Sequence, residues 1–126
     1  MSSLQVTERE SAAVASHPRV RLSDIEGAIS ERYDITAAEA VYGSVSEQGD
    51  HPLDILSICI LVMRNGFTVI GKSAPASPEN FNAELGKKFA YEDAIRQLWP
   101  LMGFSLRDRL SLADKVAGPS SELARV

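Results

Sequence analysis

The chain predicts an α+β fold, and three stretches carry that reading. Residues Ile55-Leu56-Ser57-Ile58-Cys59-Ile60-Leu61-Val62-Met63 are dense in β-branched side chains and run into Arg64-Asn65-Gly66-Phe67. Asn-Gly favours a tight type I′ turn because both residues must take positive φ, so a hairpin is expected over about 55–63 and 67–73. Ser77-Pro78-Glu79 then reads as a helix start, with Ser at the cap, Pro at the first position and an acid in the first turn. Apolar residues recur at helical spacing from there to Ala117, giving a long helix to pack on the hairpin.

Residues 1–18 are polar, rich in Ser and Ala, and end at His17-Pro18, which predicts a flexible N-terminal tail, with a frayed helix as the alternative. Gly118-Pro119 stops the last helix, and the segment it opens, GPSSELARV (118–126), has the composition of a flexible C-terminal tail. A single α+β domain is expected over 19–117. With 44% hydrophobic residues among 126, it has material for a core without staples.

Ser23-Asp24-Ile25-Glu26 fits a capping box, and Ile25, Ala28, Ile29 and Arg32 follow at helical spacing, so a short helix from Asp24 to about Arg32 is expected. Thr36-Ala37-Ala38-Glu39 repeats the box and predicts another turn of helix. The following Val41-Tyr42-Gly43-Ser44-Val45 looks more like a strand, so helix and strand both stay open across 33–46. Residues 46–52 have the composition of a loop.

A two-residue turn at Asn65-Gly66 pairs Met63 with Thr68, Val62 with Val69 and Leu61 with Ile70. Both faces of that hairpin are apolar, so it needs cover on both sides or pairing with another subunit. In the last helix Phe81, Leu85 and Phe89 fall four apart, and Ile95, Leu98, Trp99 and Met102 continue the face. Pro100 lacks a backbone donor and must kink or divide this helix.

Thirteen basic against seventeen acidic side chains give a net charge of −4, which argues against general affinity for nucleic acid. A lone cysteine, Cys59, excludes an internal disulfide. The start, MSSLQVTERE, is no signal peptide, and the longest apolar run, Ile58 to Met63, is too short to span a bilayer. No membrane association and an intracellular location are expected.

Residues 66–73, GFTVIGKS, satisfy the pattern of a phosphate-binding P-loop. A cradle of inward N–H groups is incompatible with strand pairing, and Phe67-Thr68-Val69-Ile70 are strand formers. The loop must also open into a helix, whereas Ala74-Pro75-Ala76 intervene. The match is therefore read as coincidence. His17 and His51 have no ligand partners at metal spacing, and Cys59 lies mid-strand as an inert thiol. No catalytic residue, metal or cofactor is expected, and the protein is read as no enzyme. A narrower site remains, because Lys72 and Ser73 end a strand just before a helix start. Lys72, Ser73, Ser77 and Asn80 could hold an anion there, with Phe81 or Tyr91 stacking a base.

The stretch from Arg64 to Leu110 resembles a family of small tailed-phage proteins named for gene products of phages N-four and Sf-six (the Gp49/Gp66 family). Asn65-Gly66-Phe67, Gly71 with Ser73, Ser77-Pro78-Glu79-Asn80-Phe81, Gly86, Ala90, Trp99-Pro100-Leu101 and Gly103 carry the resemblance. It extends weakly to Ile25 and Thr36-Ala37-Ala38. The family usually has Glu at the place of Lys72 and often Cys at that of Pro75, which speaks against a family-wide phosphate role for Lys72. The resemblance implies a phage or prophage origin and a place in the host bacterial cytoplasm. The function expected is a non-enzymatic accessory protein that inhibits an anti-phage defence by binding. Its partner would be a nucleotide second messenger, held between subunits of a homo-oligomer, or a host defence protein such as a CRISPR effector. A nucleic-acid-binding regulator and a particle assembly protein are the alternatives.

Overall fold

In the computed structural model, which describes residues 2–14 and 17–117, the β-branched run becomes the centre of a three-stranded antiparallel sheet. The strands are β1 (Ile29–Thr36), β2 (Ser57–Met63) and β3 (Thr68–Ser73), in spatial order β1-β2-β3. Three helices precede or interrupt them: α1 (Ser3–Val14), α2 (Leu22–Gly27) and α3 (Ala37–Tyr42). The long α4 (Ala83–Ala117) closes the chain and covers one face of the sheet. Short 3₁₀ turns stand at Pro52–Ile55 and Pro78–Asn80.

The hairpin forms where expected but in a different register. Val62 pairs with Thr68, Leu61 with Val69 and Ile60 with Ile70, one residue from the two-residue-turn alignment. The loop is three residues long: the Gly66 N–H donates to the Met63 carbonyl (2.9 Å), and the Met63 N–H to the Phe67 carbonyl (2.8 Å). Of Asn65 and Gly66 only Gly66 takes positive φ (+87°). Asn65 instead uses its side-chain oxygen to accept the Phe67 N–H (3.0 Å). A slip of one residue exchanges faces. Val69 and Gly71 therefore turn inward beside buried Leu61 and Cys59, while Ile70 and Lys72 turn outward.

The inner face carries the core. Ser57, Cys59, Leu61 and Met63 alternate as buried residues along β2. Ala90, Ala94, Ile95 and Leu98 of α4 meet them, with Ile25 of α2 and Leu4 of α1 completing the cluster. Two glycines let α4 come this close. A Cβ built on Gly71 would overlap the Ala90 carbonyl oxygen and lie 2.6 Å from the Ala94 nitrogen. One built on Gly86 would press on the Ser57 hydroxyl.

Several expectations change at the edges of elements. Residues 3–14, expected as a tail, form α1 and dock by buried Leu4. Glu8 ties α1 to the domain by an ion pair with Arg19 (2.6 Å) and by accepting the Leu22 N–H (2.9 Å). The tail expected at 118–126 lies outside the described residues. The first domain helix starts at Leu22 and stops at Gly27, because Asp24 rather than Ser23 supplies the capping oxygen, to the Arg21 N–H (2.8 Å). The chain then enters β1, so the stretch expected as helix to Arg32 is strand. Thr36 caps α3 as the box predicted, with its Oγ1 accepting from Glu39 and the Glu39 carboxylate accepting from Thr36. Gly43, at φ +82°, ends α3, so Val41 and Tyr42 are helical rather than strand.

The last helix begins at Ala83, six residues after Ser77. Pro78–Asn80 form only a 3₁₀ turn, and Phe81 is extended. Asn82 is the working cap, its side-chain oxygen accepting the Leu85 N–H (3.0 Å). The chain stays helical on both sides of Pro100, so a division is not what occurs. The missing proline N–H leaves only the Arg96 carbonyl without its helical donor, and Pro100 sits exposed.

Candidate functional site

The glycine-lysine-serine string is built into the sheet rather than into a phosphate loop. Gly66 belongs to the hairpin turn, Gly71 faces α4, and Lys72 and Ser73 are the last two residues of β3. The Lys72 N–H is already used, donating to the Asp93 carboxylate (2.9 Å), and Gln97 donates to the Ile70 carbonyl (2.8 Å). Side chains of α4 thus occupy the outer edge of β3, and no cradle of free N–H groups forms there.

The six candidate residues do not converge. Ser73, Asn80 and Phe81 line one cleft of ≈ 210 Å³, together with Pro75, Leu85 and Phe89. Lys72 is exposed on the opposite face of the sheet from α4. Ser77 does not line that cleft, and its hydroxyl donates to the Glu79 carboxylate. Tyr91 stands on α4 with the Arg32 guanidinium over its ring, 4.1 Å from the centroid. Burial, and next the charge of Glu26, push its phenol up. The helix start that was to bind an anion is capped by Asn82 and opens from an extended segment, ten residues beyond Ser73.

A larger cavity, ≈ 410 Å³, lies elsewhere, between the hairpin turn and the middle of α4. Met63, Leu98, Leu101 and Met102 form its apolar wall, and Phe67 stands at the turn, about half exposed (52%). Arg64 and Arg109 bring two guanidinium groups, one from each side. The Arg64 Nε donates to the Gly27 carbonyl (2.7 Å), which ties that arginine to the end of α2. The Arg109 Nη1 donates to the Ser105 hydroxyl one turn back (3.0 Å). Among the described residues no carboxylate, histidine or cysteine lines this cavity.

The sequence carries a signal for it. Leu98, Leu101, Met102, Ser105 and Arg109 continue a single helical stripe past the end of the sheet, at spacings of three and four. The hairpin register then sets Arg64 and Phe67 opposite that stripe.

Burial, and next the Asp34 charge, push the Cys59 thiol up to about 11, so it stays protonated and inert at neutral pH. Among the described residues no three His, Cys, Asp or Glu side chains gather as a metal site. No described helix is long and apolar enough to cross a membrane.

The model of the phage protein (N4 Gp49/phage Sf6 gene 66) family matches residues 20–110. The chain belongs to that family. The Gp49/gene 66 match contains the whole sheet, α2, α3 and α4 as far as Leu110, and with them every residue lining the two larger cavities. Helix α1 lies outside it. No curated protein and no solved structure matches the chain.

Proposed function

We propose that this phage protein is a non-enzymatic accessory factor that counters a bacterial anti-phage defence by binding, acting in the host cytoplasm. Sequestration of a nucleotide signal is the mechanism favoured, and one observation carries it: the ≈ 410 Å³ cavity joins an apolar wall to two guanidinium groups and contains no acid–base pair. Its volume falls in the range of about 300–1,000 Å³ usual for small-ligand sites. Arginine suits phosphate through paired N–H donors, while methionine, leucine and an exposed phenylalanine ring suit the face of a base. Without a lining carboxylate, histidine or thiol, the cavity offers binding groups and no general base.

Calorimetry and thermal shift with a panel of cyclic and linear nucleotides test this reading. A binder at a hundredfold excess over its Kd should add about 2.7 kcal/mol to stability. Arg64→Ala and Arg109→Ala should each weaken binding by about tenfold or more, since a charge-assisted hydrogen bond contributes about 1.5–3 kcal/mol. Silence from the whole panel removes the sequestration mechanism. Recovery of a host defence protein on the same arginine face would then favour direct blockade.

A further inference from the structure

The sheet has a second face, and α4 does not touch it. Its rows are set by the register: Glu31, Val62 and Thr68, then Tyr33, Ile60 and Ile70, then Ile35, Ile58 and Lys72. Ile35, Ile58, Ile60 and Val62 are half-buried by their neighbours, while Tyr33 and Ile70 stand 50% and 57% exposed. Apart from the strands themselves, α4 is the one element in extensive contact with β2 and β3, and it lies on the other side. Among the described residues, six apolar side chains are therefore contiguous with no helix laid across β2 and β3 on this side, on a protein whose edge at β3 is closed by Asp93 and Gln97.

The placement of charge on this face identifies what fits it. Among the described residues of its three rows, Glu31 and Lys72 are the charged ones, and they occupy diagonally opposite corners. We propose that the outer face is the dimerisation surface of the protein, occupied by the same face of a second copy with the strands crossing near a right angle. A two-fold axis along the other diagonal sets Ile60 against its own equivalent and Val62 against Ile70 of the second copy. It also sets Glu31 of each copy against Lys72 of the other. Face-to-face packing with strands near 90° is one of the two usual arrangements of sheets. A symmetric dimer requires such self-complementarity. Axes parallel or perpendicular to the strands place Glu31 against Thr68 or Ile35 instead, and leave Lys72 without a carboxylate. The face is three strands wide and five residues long, smaller than the roughly 800 Å² per partner of a standard interface. The dimer should therefore dissociate on dilution.

Sedimentation velocity over a dilution series of the full chain tests this. The chain should pass from a mass twice its own to a monomer as it is diluted. Ile70→Glu lies outside the core, so it should give a monomer with unchanged circular dichroism and the unfolding midpoint of the wild type diluted to monomer. Glu31→Lys and Lys72→Glu should each weaken the dimer about tenfold or more, because each puts like charges together at both corners. The double reversal, Glu31→Lys with Lys72→Glu, should restore it, an outcome that misfolding cannot imitate. A chain that is monomeric up to its solubility limit overturns the proposal. So does a dimer that Ile70→Glu leaves intact, or one that the double reversal fails to recover.

Discussion

Gly71→Ala should destabilise the domain by about 3–5 kcal/mol, near the top of the range for a single methyl group. The reason is backbone against backbone. The added carbon would overlap the Ala90 carbonyl and approach the Ala94 nitrogen to 2.6 Å and its Cβ to 2.9 Å. None of these is the tip of a flexible side chain, so α4 must lift from β3. That movement would strip contacts from Val69 of β3 and from Ala90 and Ala94 of α4, which are buried in the seam between them. It would also pull Asp93 and Gln97 from the β3 edge. Urea unfolding monitored by circular dichroism would show a lower midpoint at an unchanged slope. Gly103→Ala supplies the control, because nothing lies within 4 Å of a Cβ there and the site is inside a helix. It should be neutral or stabilising by about 0.5–1 kcal/mol. Similar stabilities for Gly71→Ala and wild type would show that the helix does not pack so closely on the strand.

Leu61→Ala should cost about 3–4 kcal/mol. Leu61 is fully buried at the centre of the middle strand, between Arg32 of β1 and Val69 of β3 in the ladder. Ile25 of α2 and Ile95 and Leu98 of α4 belong to the same core, and the two helices are held by their other contacts from moving in to fill the gap. The cavity left would stay largely open, and the size of the loss follows from that. Hydrogen exchange should report faster opening of β2 and of the facing turns of α4. A loss near 1 kcal/mol instead would mean that the core relaxes around the site.

Much of this architecture was legible because single residues announced it. The density of Ile and Val at 55–63 gave β2, and Thr36 with Glu39 gave the start of α3. The register was not legible, because Asn65-Gly66 suits two loops of different length. The choice falls to whether Asn65 adopts positive φ or lends its side-chain oxygen to Phe67. That choice decides which face Val69, Gly71 and Lys72 occupy, and it sets Lys72 apart from the cleft of Ser73, Asn80 and Phe81. β1 was hidden for a different reason. Its sequence, ISERYDIT, is an edge strand with Arg32 and Asp34 turned toward the helix side and paired to each other (3.1 Å). Charges at such inward positions break the apolar alternation by which strands are recognised. A docked α1 was hard to read because one buried apolar residue, Leu4, anchors it and the polar ties of Glu8 to Arg19 and Leu22 carry no apolar pattern. The arginine-lined cavity needs Arg64 and Arg109 from elements forty-five positions apart in sequence, and only the folded register joins them.

Defeat of a host defence through the arginine-lined cavity, as proposed, is open to a direct plating test. Phage lacking the gene would be titred on hosts carrying individual defence systems, with the gene supplied as wild type or as Arg64→Ala/Arg109→Ala. The wild-type gene should restore plating on at least one defended host, while the double variant, folded and expressed to the same level, should not. Equal plating with and without the gene across the whole panel would contradict the claim, as would full rescue by the double variant.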